Sequence, residues 1–489
     1  MTAAELDWAD DAPLFAAWRR FAAADVAPFT IPGHKRRAAM LHPDLGRLLD
    51  ADVPLYGGAD TVKLTAGVLA EAEGRAARLW GADLCRFSTG GSTHANQVLC
   101  LALAGSGRSS GAGPGEPAVL VARNAHRSVV SGLALAGLRP VWLPVGVDPR
   151  TGAPTGLAAD AVRQAIAEHP DVVGLFCTEP SYQGTLTDLR AVVAAAHEHD
   201  VPVLVDQAWG AHLGLAPGYP EHALQAGADA VVTSAHKMLP AFSQAALVLA
   251  RTERLDADRL ERAFEATHTT SPSATILAST DAARAFLAAD AGRAALQRTA
   301  VLVAAARTRL REAGLLVLGP KDFPPGRFDP AKLVVHFAAA GRSGLAAEAE
   351  LLARGVPVEM ADRDALVAQV GLVDDAGTLD RLVEGVLASL AGPPRPSRPV
   401  VLPEAELPPQ RLTPRQAFTA PHTSVPREDA VGRVSAELVA PYPPGVPLLV
   451  PGEEVTAQTL RALDAALAAG NRIAYAADPG LRTLQVVVA

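Results

Sequence analysis

Six short apolar runs, each stopping at a polar residue and most separated by a helical pattern, limit what this chain can fold into more than any other feature. They are Ala118–Ala122, Arg139–Val145, Val172–Cys177, Val201–Asp206, Ala230–Thr233 and Ala245–Ala250. Helical patterns fall over 157–168 and from Asp188 through His199. Strand, loop and helix in alternation predict a mostly parallel sheet with right-handed crossovers. In such sheets ligands sit beyond the carboxyl ends of the strands. The residues that follow each run are therefore the first place to look for chemistry.

Two of those ends stand out. Ala230–Thr233 runs into Ser234-Ala235-His236-Lys237, and Val201–Asp206 closes on an acid followed by Gln207-Ala208-Trp209-Gly210-Ala211-His212. A lysine at such an edge binds an anion, pairs with an acid, or forms a Schiff base with an aldehyde cofactor such as pyridoxal phosphate (PLP). A strand-end aspartate serves a metal, a helix cap, or the protonated ring nitrogen of that same cofactor. Both residues at strand ends, with one helical crossover expected between them, is the arrangement a PLP enzyme requires. The chain holds only five lysines, Lys35, Lys63, Lys237, Lys321 and Lys332, so few amines compete for the role.

Other loops add to the pattern. Phe87-Ser88-Thr89-Gly90-Gly91-Ser92-Thr93 precedes a helical stretch, so its glycines and the helix amino terminus make a phosphate cradle with Ser92 and Thr93 hydroxyls as further donors. Arg123-Asn124-Ala125-His126-Arg127-Ser128 follows the strand Ala118–Ala122. His268-Thr269-Thr270-Ser271-Pro272-Ser273 leads into another helix, where hydroxyls ordinarily serve as caps.

The SAHK lysine, the DQAWGAH acid, the RNAHRS histidine, the PGHK segment at 32–35 and the YPPG element at 442–445 together resemble the ornithine/lysine/arginine decarboxylase family. That family comprises PLP enzymes of the aspartate aminotransferase fold. The resemblance implies an α/β fold with a mostly parallel sheet (fold type I), a smaller α/β domain and a C-terminal α+β domain. It implies catalytic roles for Lys237, His126 and Asp206, with His126 over the cofactor ring. Gly91, Ser92 and Thr93 would meet the phosphate; Ala208, Ser234 and His236 would line the cofactor beside Asp206 and Lys237. Ser271 and Ser273 would reach the phosphate of a neighbouring subunit, making a homodimer or larger assembly necessary for activity.

The activity implied is decarboxylation of lysine, ornithine or arginine to its amine. An acid must then meet the distal cation, because a lone buried charge costs several kcal/mol; Asp52, Asp60 and Glu437 are the candidates. Transamination or oxidative deamination of a basic amino acid would use the same pocket, and a non-enzymatic PLP-binding protein is a third reading.

Length allows several domains: 489 residues exceed one ordinary core. The expected division is an N-terminal helical segment (1–27), a large PLP-binding domain (28–290), a small α/β domain (291–392), a Pro-rich linker (393–411) and a C-terminal domain (412–489). A net charge of −8 speaks against a nucleic-acid surface and suits a cationic ligand. Cys85, Cys100 and Cys177 suggest neither a disulfide framework nor a zinc site. The acidic amino terminus and the absence of a long uninterrupted apolar run predict a cytoplasmic protein that enters no membrane.

Overall fold

The computed structural model describes residues 8–54, 67–105, 116–391, 406–442 and 446–488. The chain supplies β1 (Leu84–Ser88), β2 (Ala118–Ala122), β3 (Arg139–Leu143), a ribbon of β4 (Gly146–Val147) and β5 (Pro154–Gly156), then β6 (Val172–Thr178), β7 (Val203–Asp206), β8 (Ala230–Ser234) and β9 (Ala246–Ala250). Seven of these form one sheet in the order β1-β9-β8-β7-β6-β2-β3. The five strands from β8 to β3 pair in parallel, and β9 runs antiparallel to both neighbours. Every residue of β2, β7, β8 and β9 is buried, which is why these strands read as unbroken apolar runs without alternation.

Two features depart from the sequence reading. The link between β7 and β8 contains no helix; it is a run of turns over 208–228. Its composition gives the reason: Gly210, Gly214, Pro217, Gly218 and Pro220 interrupt any helical hydrogen-bond ladder, and Gly214 takes φ +73°. The edge strand β1 was hidden by Arg86 at its centre. That guanidinium is neutralised by Glu73 at 2.8 Å and Glu261 at 2.5 Å, which lets a charged residue sit in a strand.

Helices cover both faces of the sheet. Gly91–Leu103 and Arg127–Ala136 pack on one side with Ala257–Thr267, while Gly67–Trp80, Leu189–His197 and Ala274–Ala288 join the core on the other. The helix Pro13–Ala23 lies on the large body: Leu14 is buried, and its N–H donates to Asp281 at 2.9 Å.

Beyond the long helix Asp290–Glu312, a second core gathers around β10 (Leu333–His336), β11 (Met360–Ala361) and β12 (Ala365–Ala368), an antiparallel sheet ordered β10-β12-β11. A third surrounds two pairs, β13 (His422–Pro426) with β16 (Thr483–Val487) and β14 (Ala440–Tyr442) with β15 (Arg472–Ala474). Among the described residues no helix is long and apolar enough to cross a membrane.

Candidate active site

The carboxyl ends of β2, β6, β7 and β8 open into a cavity of about 510 Å³. Gly91, Ser92, Thr93, His126, Asp206, Ala208, Ser234, His236 and Lys237 all line it. Nine residues named from the sequence at four separate places thus meet in one space. Lys237 occupies a single helical turn, Ala235–Met238, directly after β8, and Asp206 is the last residue of the adjoining β7.

Asp206 is buried and its carboxylate is held from two sides. The Asn96 amide donates to Oδ2 at 2.8 Å and the Ala208 N–H donates to Oδ1 at 3.1 Å. The same Asn96 nitrogen donates to Ser128 Oγ at 2.8 Å, which leaves the Ser128 hydroxyl proton for His126 Nδ1, also at 2.8 Å. Ser128 N–H donates to that same Nδ1 at 3.3 Å. With Nδ1 an acceptor twice over, the imidazole proton belongs on Nε2 and the ring is neutral. Burial pushes the His126 pKa down, with Asp206 opposing and Lys237 assisting, which agrees with that assignment. His126 owes its place to the helix it caps, Arg127–Ala136.

Burial also pushes the Lys237 amine below the usual lysine range, against the pull of Asp206 and Glu359. Its Nζ stands 4.4 Å from the centre of the Trp209 ring, and Lys332 Nζ stands 3.6 Å from the same centre. Lys332 is fully buried, and burial pushes it down to about 7, with Asp329 opposing and Lys237 adding to the shift. Gln369 joins the two lysines: its Nε2 donates to the Lys237 carbonyl at 3.1 Å and its Oε1 accepts from Lys332 Nζ at 3.4 Å.

At the other end of the cavity the helix Gly91–Leu103 begins. Gly91 has φ +70°, a conformation that favours glycine, and its N–H donates to the Gln244 carbonyl at 3.0 Å. Ser92 Oγ and Ser234 Oγ are 2.6 Å apart. Several buried polar atoms along the wall, Asn124 Oδ1, Thr178 Oγ1, Gln183 Oε1 and Trp209 Nε1, have no protein hydrogen-bond partner among the described residues. Buried orphan groups of this kind suit a polar ligand.

The donor set fits PLP. An acid backed by an amide is placed for a pyridinium nitrogen, an amine of lowered pKa for an aldehyde carbon, and a helix amino terminus with hydroxyls for a phosphate.

The remaining candidates lie elsewhere. Ser271 is exposed and Ser273 caps the helix Ala274–Ala288, accepting from Ile276 N–H at 3.5 Å; neither lines the cavity of its own chain. Asp52 accepts from or pairs with His34 Nε2 at 3.2 Å, away from the cavity. Glu437 spends both carboxylate oxygens inside the C-terminal unit, each accepting at 2.7 Å, from the Ala477 and Gln485 N–H groups. Asp60 falls outside the described residues. Asn96, Trp209, Lys332, Gln369 and Glu359 were not singled out from sequence; only Trp209 and Asn96 sit in motifs that could have drawn attention to them.

A mostly parallel sheet of this order, with its lysine and aspartate on adjoining strand ends, defines a PLP-dependent enzyme of the aspartate aminotransferase fold. A lysine decarboxylase A structure from Pseudomonas aeruginosa shares that fold at a TM-score of 0.82, with 20% identity, 99% of this chain covered and 82% of the other. The family description "Orn/Lys/Arg decarboxylase, major domain" matches residues 12–320, and "Orn/Lys/Arg decarboxylase, C-terminal domain" matches residues 375–475. An arginine decarboxylase of Halalkalibacterium halodurans is 33% identical over 490 aligned residues, covering 98% of each chain. One from Bacillus subtilis is 31% identical, again with 98% of each chain covered. The chain belongs to the Orn/Lys/Arg decarboxylase family. It is an amino-acid decarboxylase and its cofactor is PLP.

Proposed function

We propose that the chain removes CO₂ from a basic amino acid, lysine, ornithine or arginine, to leave the corresponding amine, with Lys237 as the cofactor's covalent anchor. The observation that carries this reading is the meeting of Lys237, Asp206 and His126 in one cavity. PLP, when bound, supplies an electron sink for the pair released at Cα. Asp206, fixed by Asn96 and Ala208, keeps the ring nitrogen protonated and so keeps that sink deep. Neutral His126, which lines the cavity, would hold the cofactor ring in place and help to orient the departing carboxylate. Lys237 would hold the cofactor, and its amine, placed in the same cavity, would carry the proton that Cα takes up as CO₂ leaves. Cavity walls from Tyr182 and Trp209 keep water from that carbon.

The working unit in this reading is a homodimer. Phe29 (96%) and Leu41 (83%) lead a set of exposed apolar side chains on the segment after the first helix, more than a solitary subunit commonly shows in one region. Exposed Ser271, with Ser273, is then available to a neighbour's phosphate. Three buried, unpaired cysteines suit a reducing compartment, which we take to be the cytoplasm.

Incubation of the purified protein with PLP and each of lysine, ornithine and arginine, with products identified by mass, tests the chemistry. CO₂ and an amine support it; a keto acid points to transamination or oxidation instead. The Lys237→Ala variant should lose both the visible band of bound cofactor and the adduct trapped by borohydride. Survival of that adduct in the variant would overturn the anchor.

A further inference from the structure

The loop that leaves β6 supplies four consecutive residues of the cavity wall, Pro180, Ser181, Tyr182 and Gln183. Glu179, at its start, ties the two ends of that loop together. Its N–H donates to the Asp206 carbonyl at 3.1 Å, which fixes the near end to β7. Its side chain turns to the far end, where Oε2 accepts from the Thr187 N–H at 3.0 Å, eight positions on. Both residues are buried, so the bond is shielded from water. Inside this ring the Ser181 N–H donates to the Thr185 carbonyl at 3.0 Å, and the Leu186 N–H donates out to the Arg327 carbonyl, also at 3.0 Å. Tyr182 is carried by the ring, its own ring 5.3 Å from that of Trp209.

Among the described residues no ion pair engages Glu179. Arg327 is the cation that faces it, and that guanidinium is committed elsewhere: Nη2 pairs with Asp188 at 2.6 Å and Nη1 donates to the Thr187 carbonyl. The other titratable groups around Glu179 are the Cys177 thiol on β6, which burial and Glu179 both push up, and Asp206 on β7, whose carboxylate faces Asn96 and Ala208. Neither offers a counter-charge. Burial accordingly pushes the Glu179 carboxyl up to about 7, against the Thr187 N–H and Arg327.

Resting on the decarboxylase reading, we propose that Glu179 is a positioning residue for the reaction: by closing the loop from 179 to 187 it holds Tyr182, with Ser181 and Gln183, in the wall that meets the substrate. The neutral acid suits this dry setting and the ionised one does not. A carboxylate buried without a bonded cation draws in water, or pulls Arg327 away from Asp188 and Thr187. Either change loosens the ring.

The test compares wild type with Glu179→Gln, which keeps the acceptor and the shape but cannot ionise. Amide hydrogen exchange of the full-length protein, read on peptides spanning 180–187, should match between the two at pH 6. At pH 8 the wild-type loop should exchange several-fold faster than the variant's, while peptides from β9 stay equal. The ratio of wild-type KM to variant KM for the preferred basic amino acid should move from about one at pH 6 towards about ten at pH 8, since only about a tenth of the molecules then keep the neutral acid. The kcat ratio should stay level, and comparison at one pH cancels the titration of substrate and cofactor. Glu179→Ala, which leaves the Thr187 N–H bare, should exchange fast and bind weakly at both pH values. Wild type alone gives a check free of any variant's folding: protection of the loop relative to β9, corrected for intrinsic exchange, should drop between pH 6 and pH 8. Equal loop exchange and equal KM in wild type and Glu179→Gln at both pH values would overturn the inference. Wild-type protein that releases no amine from any basic amino acid would instead overturn the function on which it rests, and the exchange comparison would still decide whether Glu179 closes the ring.

Discussion

Lys332 is the residue whose environment makes the firmest claim about pH. A lysine in an unfolded chain titrates near 10.4, and burial holds this one down to about 7 in the folded protein. Asp329 and Glu359 oppose that shift, Lys237 adds to it, and Arg307 donates to the Lys332 carbonyl. Between those two values the unfolded chain binds a proton that the folded chain does not. Folding stability contributed by this group therefore rises with pH across the window, by up to about 1.4 kcal/mol per unit. Urea unfolding of the cofactor-free protein from pH 7.5 to 9.5 should show that rise, and Lys332→Met should flatten it. Equal slopes in the two proteins would place the lysine's proton elsewhere. The places of Asp206, Lys237 and His126 were legible in the sequence because each lies at or a few residues past the end of an apolar strand, inside a short motif. Asn96 was not, because its bond to Asp206 spans 110 positions and no local pattern announces it. Glu437 misled for the converse reason: an acid near a family motif gave no sign that backbone amides already held it.

At the scale of elements, the helix Pro13–Ala23 is fixed by one buried charge cluster. Asp281 accepts from the Leu14 N–H at 2.9 Å and from Arg284 Nη2 at 2.5 Å, while Arg284 also reaches Asp11. Both Asp281 and Arg284 are buried, so removing the acid strands a guanidinium whose other partner is half exposed. Asp281→Ala should cost about 3–5 kcal/mol, the usual penalty for breaking a buried pair from one side. Chemical denaturation reads the loss, and trypsin should then cut at Arg19 or Arg20 in the loosened helix. An unchanged denaturation midpoint would show that apolar packing of Leu14 alone suffices. A helical segment at the amino terminus was readable from the sequence; what it packs on was not, since Asp281 lies 267 positions from Leu14. The same holds for β1, whose central Arg86 looks wrong for a strand until Glu73 and Glu261 are found beside it.

Across the whole molecule, the C-terminal unit is tied to the site through Arg123, one residue past β2 and three before His126. Its guanidinium forks onto Glu453, Nη1 to Oε1 at 2.5 Å and Nη2 to Oε2 at 2.9 Å, and Nη2 also donates to the Leu448 carbonyl at 3.3 Å. Arg123 is nearly buried and Glu453 fully so; burial pushes the Glu453 carboxyl up, with Arg123 opposing. A bidentate pair in that setting fixes orientation as well as distance. Two weaker ties flank it, Trp142 Nε1 donating to Gln410 Oε1 at 2.9 Å and Arg415 Nε donating to the Ala134 carbonyl at 2.9 Å. Val446, from the same unit, lines the active-site cavity, so undocking opens the pocket as well as freeing the domain. Glu453→Gln keeps the shape but leaves Arg123 without its counter-charge, at a cost of about 3–5 kcal/mol. The expected result is earlier cleavage at Arg411, Arg427 or Arg433 in limited trypsinolysis, together with weaker retention of PLP on gel filtration, because the loop carrying Asn124 and His126 starts at the unpaired arginine. Faster cleavage with full cofactor retention would show that the clamp holds the domain alone; slower PLP loss than wild type would remove any role for it in shaping the site.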